Sequence, residues 1–189
     1  MTIAPLSDPQ LITIIESLLF VATEPATVAQ LAAASECSPA QVEAALQQLK
    51  ESCQNRGIRL QRQGQKLQLV TAPEATPYVE RFLGLSTPAK LSTPALETLT
   101  IIAYRQPITR PEIEAIRGVN SDGVLRTLLS KGLIEEVGRL DTVGHPSLFG
   151  TTFEFLRYFG LEDLKDLPSL GLPEIILPHD ERDNGYPEA

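Results

Sequence analysis

The chain contains a unit that recurs. "PATVAQLAAASECSPAQVEAALQQL" (25–49) can be laid on "PITRPEIEAIRGVNSDGVLRTLLSK" (107–131). Pro25 then falls on Pro107, Thr27 on Thr109, Leu31 on Ile113, Val42 on Val124 and Leu46 on Leu128. Each copy goes on to a Gly-aliphatic pair, Gly57-Ile58 and Gly132-Leu133. Each ends in an aromatic-containing segment closed by glycine, "YVERFLG" and "EFLRYFG". Identities are few, but the order of elements is shared, and a repeat constrains the fold more than any single motif. Whatever one copy folds into, the chain holds twice.

Local signals say what that is. Asp8-Pro9 opens a helix in which Ile12, Ile15, Leu18 and Leu19 form an apolar stripe. Thr27 with Gln30 and Ser38 with Gln41 have capping-box spacing. Val42, Leu46 and Leu49 line one side of a third helix. Then the period changes to two. Ile58, Leu60, Leu67 and Leu69 alternate with polar residues around Gly64, a hairpin pattern. In the second copy Thr93-Pro94 starts a helix with Leu96, Leu99 and Ala103 inward. Thr109 with Glu112 is the capping box, and Val124, Leu125, Leu128 and Leu129 form the third-helix stripe. Ile134 to Gly138 is a strand, Leu140 to Pro146 a loop, and Ser147 to Gly150 the return strand. Thr151 and Glu154 are expected to cap the last helix.

Three helices followed by a hairpin is the order of a winged helix. The expected fold class is therefore α+β, mostly α, with two tandem winged-helix domains and an acidic C-terminal tail. The expected boundaries are 8–84 and 94–160 for the domains, 85–93 for a short Pro-bearing linker and 161–189 for a largely extended tail.

Charge bears on function. The tail from Leu161 holds eight acids against Lys165 and Arg182, so it carries −6 of the chain's −8. A DNA-reading third helix needs cations for phosphate. The stretch Thr109–Leu140 balances five bases with five acids, and the isoelectric point is about 4.8. The only basic concentration is the hairpin trio Arg59, Arg62 and Lys66, read as a solvated wing. A direct nucleic-acid contact is expected to be weak or indirect. Protein partners remain, docked by helix-in-groove or strand addition.

Little supports catalysis. His145 and His179 lie far apart, and Cys37 and Cys53 lack the short paired spacing of a zinc site. They read as ordinary thiols of a reducing cytoplasm. No phosphate-cradling glycine loop is present in the sequence, and Glu135-Glu136 and Glu162-Asp163 read as solvated surface. No enzyme activity, cofactor or metal is expected. No apolar run approaches the ~18 residues of a membrane span, and "MTIAPLSDPQ" has no basic region of a secretory signal.

Two long runs carry a family resemblance: "LSTPALETLTIIAYRQPITRPEIEAIRGVNSDGVLRTLLSKGLIEEVGR" and "GTTFEFLRYFGLEDLKDLP". They resemble segregation and condensation protein B (ScpB), over roughly Pro9 to Pro168. The resemblance implies a non-catalytic cytoplasmic homodimer, nucleoid-associated through its complex. It implies binding to the kleisin ScpA and, through it, modulation of the SMC ATPase. In the wing, His145 and Phe149 stand where the family more usually has Arg and Tyr.

The expected partner contacts are Arg117, Arg126, Lys131, Arg139 and His145. Ile175, Ile176 and Leu177 of "PEIILP" would add a docking segment in the tail. The rival reading is a winged-helix transcription regulator that binds operator DNA directly.

Overall fold

The computed structural model describes residues 8–84 and 90–169. The first unit opens with α1 (Asp8–Val21), whose Leu11, Ile15 and Leu19 are buried at four-residue spacing. A two-residue strand β1 (Ala26–Thr27) runs straight into α2 (Val28–Ser35). There Thr27 is both strand residue and N-cap, and the reciprocal capping box with Gln30 is present. The same device at Ser38 and Gln41 starts α3 (Pro39–Cys53), with proline in its first turn. The hairpin β2 (Ile58–Gln63) and β3 (Lys66–Thr71) and the helix α4 (Thr76–Leu83) complete the unit.

The second unit repeats the order. It comprises α5 (Thr93–Arg105), β4 (Ile108–Thr109), α6 (Arg110–Arg117), α7 (Asp122–Ser130), β5 (Ile134–Arg139), β6 (Ser147–Thr151) and α8 (Phe153–Phe159). Thr109 caps α6 in a box with Glu112. Helices α4 and α8 both end on a glycine in the left-handed region, Gly84 at φ 65° and Gly160 at φ 67°. Glycine adopts that conformation without a Cβ penalty, so both aromatic helices stop at the same place in their repeat.

Each unit has a three-stranded antiparallel sheet, ordered β1-β3-β2 and β4-β6-β5. Leu60 faces Leu69 in the first, and Ile134 faces Thr151 in the second. The short strands β1 and β4 carry too few residues to show a period, and the sequence did not announce them. The sheets differ in one respect. β5 slips register between Glu136 and Gly138, leaving Val137 as a bulge. A Cβ placed on Gly150 of β6 would stand 2.9 Å from Val137 Cγ1 and 3.2 Å from Gln106 Oε1.

Two cores form, one per copy. Leu11, Ile15, Leu19, Leu31, Val42, Leu46 and Leu49 lead the first. Leu99, Ile102, Ile113, Leu125, Leu128, Ile134 and Leu156 lead the second. Burying such a side chain fully stabilises by about 1.5–3 kcal/mol, so each aliphatic cluster supports its unit without tryptophan.

Four details depart from the sequence reading. Leu96 is exposed, because Ala95, Leu99 and Ile102 fix the inward face of α5 and Leu96 lies one residue round the helix. The cap of α8 is Thr152, which accepts from the Phe155 N–H. Thr151 is instead buried at the end of β6, where its N–H and hydroxyl donate to Gln106 Oε1. Leu91, expected in the linker, is buried in the second core. The first residues of the expected tail have structure too. Leu161, Leu164 and Leu167 pack against the second core, Leu164–Asp166 forms a 3₁₀ turn, and the Tyr104 hydroxyl donates to the Pro168 carbonyl at 2.5 Å.

Candidate partner-binding site

The cations that a DNA reader would offer are largely engaged within the protein. On α6 and α7, Arg110 pairs with Asp122 at 3.2 Å and Arg126 pairs with the same carboxylate at 2.7 Å. Arg117 was expected as a partner contact, but its side chain is only 5% exposed. It is spent on Glu97 at 3.2 Å and on the Ser121 hydroxyl at 2.9 Å. Glu97 on α5 faces the end of α6, a proximity the linear sequence does not display. Lys131 and Arg139 are exposed. His145 is exposed in the hairpin loop at φ 39°, with Nδ1 3.8 Å from Asp141. Arg126, Lys131, Arg139 and His145 therefore remain on the surface, whereas Arg117 does not. Ile175, Ile176 and Leu177 lie outside the described residues.

The basic hairpin trio also reads differently in three dimensions. Arg62 forms a bidentate pair with Glu43 of α3, at 2.7 and 2.8 Å. That pairing raises the Arg62 guanidinium above its ordinary value and holds the Glu43 carboxyl below the usual carboxylate range. Arg59 is buried. Its Nη1 donates to the carbonyls of Cys53, Arg56 and Ile58 at 2.8, 2.5 and 3.0 Å. It also meets Glu74 at 3.2 Å and Glu162 at 3.5 Å. Only Lys66 of the trio fits the solvated-wing expectation. Glu162 departs from the reading as solvated surface, because Lys50 (3.3 Å) and Arg59 hold it.

Exposed apolar side chains lie on several elements, among them Phe20 and Val21 of α1, Ile116 of α6 and Val137 of β5, and α4 carries a group of them. In α4, Tyr78, Val79, Phe82 and Leu83 share one side of the helix, and no residue of α4 is buried. Phe82 is 89% exposed. A helix of eight residues is marginal alone in water. Val79 and Leu83 also form one wall of a groove of about 470 Å³. Tyr158, Glu154 and Arg157 of α8 stand opposite, with Val70 and Gln61 of the hairpin also lining it. One wall thus comes from each unit. Pro73 closes against Gly160, where an added Cβ would lie 3.4 Å from the ring. Sequence reasoning missed α4 as a surface. Its signal was present, since "YVERFL" has an apolar arc, but only the fold shows that none of the described residues covers it.

Among the described residues no His/Cys/Asp/Glu cluster could hold a metal ion, and no helix is long and apolar enough to cross a membrane.

The family model for "Segregation and condensation complex subunit ScpB" matches residues 13–170. The chain belongs to the ScpB family. A segregation and condensation protein B of Clostridium botulinum (strain 657 / Type Ba4) is 48% identical over 160 residues, covering 84% of this chain and 83% of the relative. The crystal structure of ScpB from Mycobacterium tuberculosis is 42% identical and covers 84% of this chain and 99% of that one, with a TM-score of 0.41. A solved dimer of an ScpB N-terminal domain complexed with an ScpA peptide is 31% identical over 38% of this chain and 91% of that one, with a TM-score of 0.36. Membership of the ScpB family rests on the sequence matches.

Proposed function

We propose that the chain is a non-catalytic adaptor of a chromosome segregation and condensation complex. In this reading it is a homodimer built from two tandem winged-helix domains, bounded as 8–84 and 94–160. It binds the kleisin ScpA and, through it, modulates the SMC ATPase, in the cytoplasm at the nucleoid. The observation that carries the reading is an inversion of the DNA-binding pattern. The helix-then-hairpin order is kept while Arg59, Arg62 and Arg110 are paired with carboxylates of the same chain. The accessible surface along the groove is largely apolar instead, and α4 exposes Tyr78, Phe82 and Leu83. Phosphate neutralisation supplies most of the affinity of a protein for DNA; apolar anchors in a groove supply that of a peptide complex.

The polar candidates Arg126, Lys131, Arg139 and His145 belong to the rim of such a contact. The tail segment Ile175–Leu177 is a second docking element.

Co-purification with ScpA from the same cell, with the mass of the complex measured, tests the reading. A stable complex containing two copies of this chain is expected, together with little retention of duplex DNA at physiological ionic strength. Tight, steeply salt-dependent binding to duplex DNA with no ScpA recovered would replace the adaptor by the transcription-regulator reading.

A further inference from the structure

The two hairpins occupy the same place in the repeat, yet their outer strands differ. β5 is exposed from Glu135 to Arg139. β2 buries Arg59, Leu60 and Gln61 in succession, two of them polar. Leu60 faces the first core, whereas Arg59 and Gln61 meet a dipeptide that directly follows the second unit. Leu161-Glu162 follows the Gly160 cap of α8 directly and lies beside β2. The Arg62 N–H donates to the Glu162 carbonyl at 2.8 Å. The side-chain amide of Gln61, 2% exposed, donates to the Leu161 carbonyl at 2.8 Å and accepts from Gln68 at 3.1 Å. The Glu162 carboxylate sits between Lys50 Nζ (3.3 Å) and Arg59 Nε (3.5 Å). Nearby, the Gln63 side-chain amide donates to the Thr151 carbonyl. The Leu161 side chain meanwhile packs against the second core. The dipeptide is thus anchored to one unit by apolar contact and to the other by hydrogen bonds and charge.

We propose that Leu161-Glu162 is an intramolecular latch that caps the edge of β2, holds the two units in one relative orientation and thereby fixes the α4–α8 groove. The physical case rests on cost. The buried Gln61 amide donates to the Leu161 carbonyl, and a buried polar group is expensive to leave unpaired, so the latched orientation is favoured over others that keep Gln61 dry without that acceptor. An uncapped edge strand also invites pairing with other chains, and the latch removes that liability. The groove has one wall from each unit, so its width follows the latch whichever partner enters it.

Amide hydrogen exchange on the full chain tests it. The Arg62 amide is the reporter, because the Glu162 carbonyl accepts its hydrogen. In the unaltered chain Arg62 is expected to be protected. Glu162→Lys sets a cation against Lys50 and Arg59 and is expected to speed Arg62 exchange by about tenfold or more. The core amides of Leu49 and Leu128 should stay protected, and the scattering profile should shift toward a more extended particle. Should Glu162→Lys unfold a unit, seen as lost protection at Leu49 or Leu128, the shape-preserving Glu162→Gln is read in its place with the same expected direction. An Arg62 amide that exchanges freely in the unaltered chain, or that stays fully protected with an unchanged scattering profile in the decisive variant, overturns the latch.

Discussion

Replacing Arg59 should cost far more than a surface arginine does. Its side chain is 11% exposed and ties three carbonyls, those of Cys53, Arg56 and Ile58, to one guanidinium. These carbonyls lie at the end of α3 and the start of β2, where the chain turns between helix and sheet. Arg59→Ala leaves them without that donor. A buried group left unpaired costs about 1–3 kcal/mol. The site opens toward Gln54 and Tyr78, so water reaches part of it, and the lower end of the range applies to each carbonyl. The Cys53 carbonyl keeps the Arg56 N–H at 3.0 Å, so two carbonyls lose their donor and about 2 kcal/mol is expected in total. The pair with Glu74 adds little, because that carboxylate is 74% exposed. Arg59→Lys keeps the charge but not the planar fork, and should recover only about half of the loss. Urea unfolding followed by circular dichroism measures both variants, with the shift in midpoint read at constant slope. A loss below about 1 kcal/mol for Arg59→Ala, or full recovery by lysine, would refute the reasoning that the fork holds the turn.

Gly150→Ala should destabilise by about 1–3 kcal/mol through overpacking against Val137 and Gln106; adding Val137→Ala should return part of it, and a denaturation cycle without such coupling sinks the idea. In acid, the capping box of α6 should weaken. The Thr109 hydroxyl and backbone N–H hold the Glu112 carboxyl below its usual value of 4.5, so its contribution is present above that pH and lost as pH falls through the depressed value. Glu112→Gln, which reproduces the Thr27–Gln30 box of the first unit, should flatten that part of the acid unfolding curve. Tyr78→Ser with Phe82→Ser on α4 should leave the unfolding midpoint within about 0.5 kcal/mol of the parent, while reducing recovery of ScpA or of the dimer in sedimentation and pulldown. Raising salt to about 1 M should speed Arg62 amide exchange without touching the core amides, since screening at that ionic strength reaches within about 3 Å.

Much of the fold was legible because it is written in short-range chemistry. Thr27 with Gln30, Ser38 with Gln41 and Thr109 with Glu112 each lie three residues apart, and each makes the reciprocal bonds its spacing promises. The stripes through Val42, Leu46 and Leu49 and through Leu125 and Leu128 are buried as periodicity requires. At α8 the spacing Thr151 with Glu154 pointed to the wrong cap, because the strand pairing of β6 draws Thr151 into the sheet and leaves Thr152 to cap the helix.

The site was legible only in part. Arg117 and Glu97 are paired across twenty residues, and Arg59 and Glu162 across more than a hundred. No local pattern marks either. The sequence determined the order of helices and strands, their caps and their inward faces, because those depend on neighbours within a turn or two. The tertiary structure alone decided which charges are spent inside, which apolar helix is left bare and which of two equivalent strands is covered. Those outcomes depend on desolvation and on charges brought together by the fold, and a linear sequence holds neither distance nor dielectric.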